Sequence, residues 1–261
     1  MFERFFDRNH TPVVDRPFPA AQLAVLEHNV KHYARLDDAS RKRLCSLVQA
    51  FIANKHWEGC GGLELTEEMQ VTIAAQACLL VLELPHRLYR NVQSILVYAS
   101  TVVRPVRRLG VFERPTELVE APPVELLGEA HLGGPVILAW DRVLRDGRRP
   151  QDGHNLVYHE FAHKLDMLDG EPDGTPPLAT RDERRRWHRV CERVFLELRE
   201  HAQRGERTSI DAYGATNEAE FFAVATEHFF DRPRALQASE PELYAVLAAF
   251  YRQDPATLSD V

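Results

Sequence analysis

The segment Val157-Tyr158-His159-Glu160-Phe161-Ala162-His163-Lys164-Leu165-Asp166 constrains this chain more than any other. Leu156, Val157, Phe161, Ala162, Leu165 and Leu168 recur at helical spacing and predict an amphipathic helix. On such a helix residues four apart share a face, so His159 and His163 can direct two imidazoles at one metal ion. Glu160 sits beside them without being a ligand. Zinc suits the pattern, because it accepts nitrogen donors in a tetrahedron and can keep one position open for water. A third ligand has to come from elsewhere in the chain.

Size and composition limit the alternatives. The 261 residues can bury a substantial core, either as one compact domain or as a helical region (1–90) packed on a catalytic region (91–261). A net charge of -7 argues against a polyanionic partner, so no direct nucleic-acid binding is expected. The arginines at 181–189 are interleaved with Asp182 and Glu183 and read as a solvated helix face. Arg104, Arg107 and Arg108 form a second, shorter basic stretch. The four cysteines (Cys45, Cys60, Cys78, Cys191) are widely spaced, with no Cys-x-x-Cys pair, and are expected to be reduced. The opening residues lack the basic start and apolar core of a signal peptide, and the most apolar run, 74–84, is too short to span a bilayer. A cytoplasmic protein with no membrane partner is expected.

Periodicity predicts helices from Pro19 to about Leu36, from about Asp38, and from Thr66 to about Leu84, where Pro85 stops the last. Cys60-Gly-Gly62 predicts a break before a short strand at Leu63-Glu-Leu65. Three β-rich runs, 94–100, 123–127 and 135–140, predict a small sheet of mostly antiparallel pairs. The run at 135–140 reads equally as a core strand or as an exposed edge able to pair with an extended peptide. Further helices are predicted from Arg181 to about Gln203, from about Asn217 to Phe230, and from about Pro241 to Gln253. The turn-rich loop 169–177 is a candidate cover for the cleft.

For the third ligand, the residues leave several readings. Asp169 has the spacing of a longer His-Glu-x-x-His plan, but that plan needs glycine where Asp166 stands. Asp166 lies on the histidine face and fits a supporting role, accepting the second N–H of an imidazole. Glu218, Glu220 and Glu227, on the later helix, are all candidates. Glu220 also fits a capping box with Asn217.

Two stretches, His159-Glu-Phe-Ala-His163 and Tyr213-Gly-Ala-Thr-Asn-Glu-Ala-Glu220-Phe-Phe-Ala, are similar to those of the anthrax lethal factor catalytic domain. Across nearly the whole chain the sequence more closely resembles the Mlc titration factor family of bacterial zinc peptidases. Gly134-Pro-Val-Ile-Leu-Ala-Trp140, His154-Asn-Leu-Val-Tyr-His-Glu160 and Lys164-Leu-Asp166 extend the match. The resemblance implies an α+β, zincin-like fold, mostly helical with a small mixed or antiparallel sheet. It implies one Zn2+ per chain held by His159, His163 and Glu220, with Glu160 as general base toward a zinc-bound water and Tyr213 as a second catalytic residue. The implied activity is aminopeptidase-like hydrolysis of peptide substrates. The alternative it implies is a regulatory protein that sequesters the glucose repressor Mlc and so controls phosphotransferase sugar uptake. His228 departs from the family pattern, in which an aromatic Tyr is expected there.

Overall fold

The computed structural model describes residues 17–84, 89–100, 102–103, 125–126, 128–130, 134–170 and 172–258. Residues 1–16, Pro85, the arginines at 104–108 and the start of the 123–127 run lie outside the described residues.

The N-terminal part is helical, as the periodicity predicts, with one interruption. Instead of a single helix to Leu36, α1 (Ala20–Asn29) stops at Val30 and a short α2 (Lys31–Arg35) follows. Asp37 caps α3 (Asp38–Asn54) by accepting the Ser40 N–H at 2.7 Å. The predicted strand at 63–65 is not one. The chain instead forms β1 (His56–Gly59) before the Cys60-Gly-Gly turn, so the glycines end the strand rather than precede it. Thr66 then caps α4 (Glu67–Leu80), which ends a turn earlier than predicted.

The sheet corrects the expectation of mostly antiparallel pairing. β2 (Ser94–Tyr98) pairs parallel with β1 and also with β6 (Val136–Ala139). Only β5 (Gly128–Ala130) runs antiparallel, on the far side of β6, giving the order β1-β2-β6-β5. β3 (Val102–Val103) and β4 (Glu125–Leu126) form a separate antiparallel pair. The physical reason is the connection: α4 lies between β1 and β2, and a strand–helix–strand crossover returns the chain in the same direction. β6, bonded on both sides, is a core strand and not an edge open to a peptide.

A short helix that the periodicity does not reveal, α5 (Trp140–Arg148), leads from β6 toward α6 (Leu156–Asp166), the helix bearing the two histidines. α7 (Arg181–Gln203) opens with a complete capping box between Thr180 and Glu183. α8 (Glu218–Asp231), the unpredicted α9 (Pro233–Ser239) and α10 (Pro241–Tyr251) complete the order. Buried residues from both ends of the chain form one contiguous core. Phe161 of α6 lies 5.7 Å from the ring of Phe51 and 4.9 Å from that of Tyr89, while Phe229 of α8 stacks on Tyr251. Tyr158 of α6 lies 5.4 Å from the ring of Phe230 on α8, so α6 is held from both sides. Gln76, the polar residue in the most apolar run, has a structural purpose: its Oε1 accepts an N–H from Asn155, the N-cap of α6, at 2.9 Å.

Candidate metal centre

Asn155 starts α6 by accepting the Tyr158 N–H, and from there His159 and His163 fall one turn apart. Their Nε2 atoms approach to 3.2 Å, with the rings edge to face. Glu220 enters from the first turn of α8. Its Oε2 lies 2.9 Å from His159 Nε2 and 3.5 Å from His163 Nε2. Among the described residues these three are the group of His, Cys, Asp or Glu side chains whose ligand atoms gather within 4.8 Å of one another.

The capping reading of Glu220 is half realised. Asn217 Oδ1 accepts the Glu220 backbone N–H at 2.9 Å, but the Glu220 carboxylate turns toward the imidazoles. Its Oε2 is buried, and its close polar neighbours are these two ring nitrogens. Burial pushes the carboxyl up, yet the two imidazoles outweigh this and hold it down at about 2. A buried carboxylate oxygen facing two ring nitrogens fits a divalent cation, which all three atoms would satisfy together.

The other sequence candidates lie elsewhere. Glu218 is exposed at the start of α8, and Asp169 is exposed in the turn after α6. Asp166 does not support an imidazole: its Oδ2 accepts the Gly174 N–H at 3.0 Å and so ties the loop after α6. The supporting role belongs to Glu227, two turns beyond Glu220 on the same face of α8. Its Oε1 accepts from His159 Nδ1 at 2.8 Å, and its Oε2 accepts the Asn155 N–H at 2.6 Å. The i+7 spacing from Glu220 is the sequence signal for this residue, and it does not separate an orienting carboxylate from a ligand. Burial alone would lower the His159 imidazole, but contacts with Glu220 and Glu227 raise it well above its usual range.

Glu160 is buried beside this group, with Oε2 lacking a hydrogen-bond partner. Desolvation raises its carboxyl to about 7; His159 opposes the shift, and Glu220 and Glu227 add to it. Tyr213 stands on a 3-10 turn (Ala212–Ala215), 54% exposed, with its ring centroid 5.9 Å from that of His159. All five residues singled out from the sequence thus lie in one neighbourhood. A buried proton acceptor, a half-exposed phenol and a three-atom donor set together can bind a cation and move a proton beside it.

Comparison with known proteins agrees with this reading. A family model described as "Glucose-regulated metallo-peptidase M90" matches residues 5–252. An uncharacterized protein of Synechocystis (slr2042) is 37% identical over 256 residues, covering 97% of this chain and 91% of its own. Proteins named Mlc titration factor A from Yersinia pestis and Yersinia pseudotuberculosis are 32% identical over 244 residues, covering 91% of this chain and 87% of theirs. The chain belongs to the glucose-regulated metallo-peptidase M90 family and is a relative of Mlc titration factor A.

Proposed function

We propose that this protein is a cytoplasmic, zinc-dependent peptidase of aminopeptidase type, with one zinc ion per chain held by His159, His163 and Glu220. The observation that carries the proposal is the convergence of two imidazole nitrogens and one carboxylate oxygen within 4.8 Å, beside a buried Glu160. Two nitrogens and one oxygen make a donor set that suits zinc and leaves one position for a reactant. When bound, zinc supplies Lewis-acid polarisation of a carbonyl and acidifies a water molecule.

The remaining chemistry belongs to the chain. Glu160, held by desolvation near the middle of the pH range, takes a proton from the attacking water and passes it to the leaving amine nitrogen. Tyr213, near His159 and open to solvent, donates its phenolic hydrogen to the oxyanion that develops on the substrate carbonyl. Glu227 keeps the His159 ring turned so that Nε2 points toward Glu220 and His163, the residues that would hold the cation with it. The packing of the histidine helix between the sheet and α8 supports a zincin-like arrangement, and the shared core supports one compact domain. Among the described residues no helix is long and apolar enough to cross a membrane.

A second reading rests on the name of the Yersinia relatives: a regulatory protein that binds a repressor of the Mlc type and controls sugar uptake. The two are separated by metal analysis together with alanine p-nitroanilide and its N-blocked form, with and without chelator. The peptidase reading expects bound zinc, chelator-sensitive cleavage of the unblocked substrate, and loss of zinc in E220A but not in D169A. Zinc retained in E220A, or cleavage indifferent to chelator, would remove the site assignment.

A further inference from the structure

The resemblance leads one to expect tyrosine where His228 stands, and the surroundings of His228 give the imidazole a place in the fold. The side chain is buried on α8, and its Nε2 lies 3.3 Å from the backbone nitrogen of Asp211. Asp211 begins the 3-10 turn that carries Tyr213. Its Oδ1 accepts the Tyr213 N–H at 2.7 Å and its carbonyl accepts the Gly214 N–H at 3.1 Å. Room for the ring comes from Gly153, which has φ +74° and stands so near that a Cβ would meet His228 Cε1 at 3.3 Å and Arg232 Cδ at 2.7 Å. Burial, with Arg232 and His154 nearby, holds the imidazole down at about 4. At neutral pH the ring is uncharged, and one ring nitrogen has a lone pair to offer.

Tyr213 has little packing of its own, since about half of it faces solvent. The place of its phenol is therefore set by the backbone of its turn. We propose that His228 is a positioning residue for Tyr213: its Nε2 accepts the Asp211 N–H and anchors the 3-10 turn to α8. Together with the packing of buried Gly214 against Phe221 and Val224, that bond lets the helix that delivers Glu220 also set the register of the phenol. The inference rests on the reading of Tyr213 as a group that acts on the substrate.

The test is amide hydrogen exchange on the intact protein, zinc-loaded and zinc-free, for wild type, H228L and H228Q. A glutamine carbonyl can take the place of Nε2 as acceptor; leucine cannot. Losing one hydrogen bond should speed exchange in residues 207–216 of H228L by about two- to tenfold, with H228Q close to wild type. If H228L folds poorly, H228M fills a similar volume without a ring nitrogen and gives the same readout. On alanine p-nitroanilide, H228L should lower kcat rather than raise KM, keep its zinc, and cause no further loss when added to Y213F. Unchanged exchange at 207–216 in H228L, or full multiplication of the H228L and Y213F losses, would overturn the proposal. Faster exchange at 207–216 in H228L, where the wild type cleaves nothing, would support the anchor and refute the peptidase reading.

Discussion

His159 Nδ1 lies 2.8 Å from Glu227 Oε1, and the same carboxylate reaches the Asn155 N–H with its other oxygen. One side chain from α8 thus fixes both the orientation of the His159 ring and the first turn of the helix that carries it. Removing the charge while keeping the shape should show this. E227Q is expected to weaken zinc binding by about 10- to 100-fold, measured by competition with a chelating dye. An unchanged affinity would mean that the ring is oriented by its own helix alone.

In the proposed mechanism Glu160 moves a proton and does not hold the ion. E160Q should therefore retain one zinc per chain and lose about 10²- to 10⁴-fold in kcat on alanine p-nitroanilide. Metal content and turnover measured on the same preparation separate the two roles.

Acid should weaken the fold through His32, which lies outside the proposed donor set. The buried ring donates through Nε2–H to the Phe230 carbonyl at 2.8 Å and faces the Tyr158 hydroxyl with Nδ1 at 3.3 Å. Burial lowers its pKa from 6.5 to about 4, with the Phe230 contact opposing the shift. Between these values the unfolded chain binds a proton that the folded chain does not. The stability contributed by the neutral ring is complete above 6.5 and is lost as pH falls toward 4, roughly 3 kcal/mol in all. Urea midpoints measured across this range should fall with acid in wild type and fall less in H32Q.

Gly174 is a second structural test. It has φ +75°, and an added Cβ would lie 2.4 Å from the Glu218 carbonyl oxygen. Its N–H is taken by Asp166 and its carbonyl by Trp187 Nε1, so the loop after α6 cannot shift to make room. G174A is expected to cost about 1–3 kcal/mol from backbone strain alone, read from denaturant midpoints.

Much of this architecture is written locally. Thr180 and Glu183 mark the start of α7, and the apolar stripe around Phe161 marks α6, because capping and helical period are properties of neighbouring residues. The direction of the strands is not local. Trp57 and Ile95 carry no direction in their sequence, and their parallel pairing follows from the helical crossover through α4 between β1 and β2. The strand at His56–Gly59 escapes notice because its four residues alternate only weakly, while the glycines after it suggest a beginning as readily as an end. In the site, the two histidines and Glu160 follow from one helical turn. Glu220 and Glu227 share one face of one helix, and only the approach of α6 decides which meets His159 at Nε2, beside His163, and which meets it at Nδ1.

The placement of Glu220, Glu227 and His228 on α8 has a consequence for how this protein would fail. Its opposite side is anchored by Phe229 and Phe230 against Tyr244 and Tyr251. A small sideways slip of that rod would misplace a ligand, its brace and the phenol's tether in one movement. Enlarging or trimming those aromatics, none of which touches the ion, should thus read out as lost zinc before it reads out as lost fold. The metal assay becomes a gauge of packing on the reverse side of the helix.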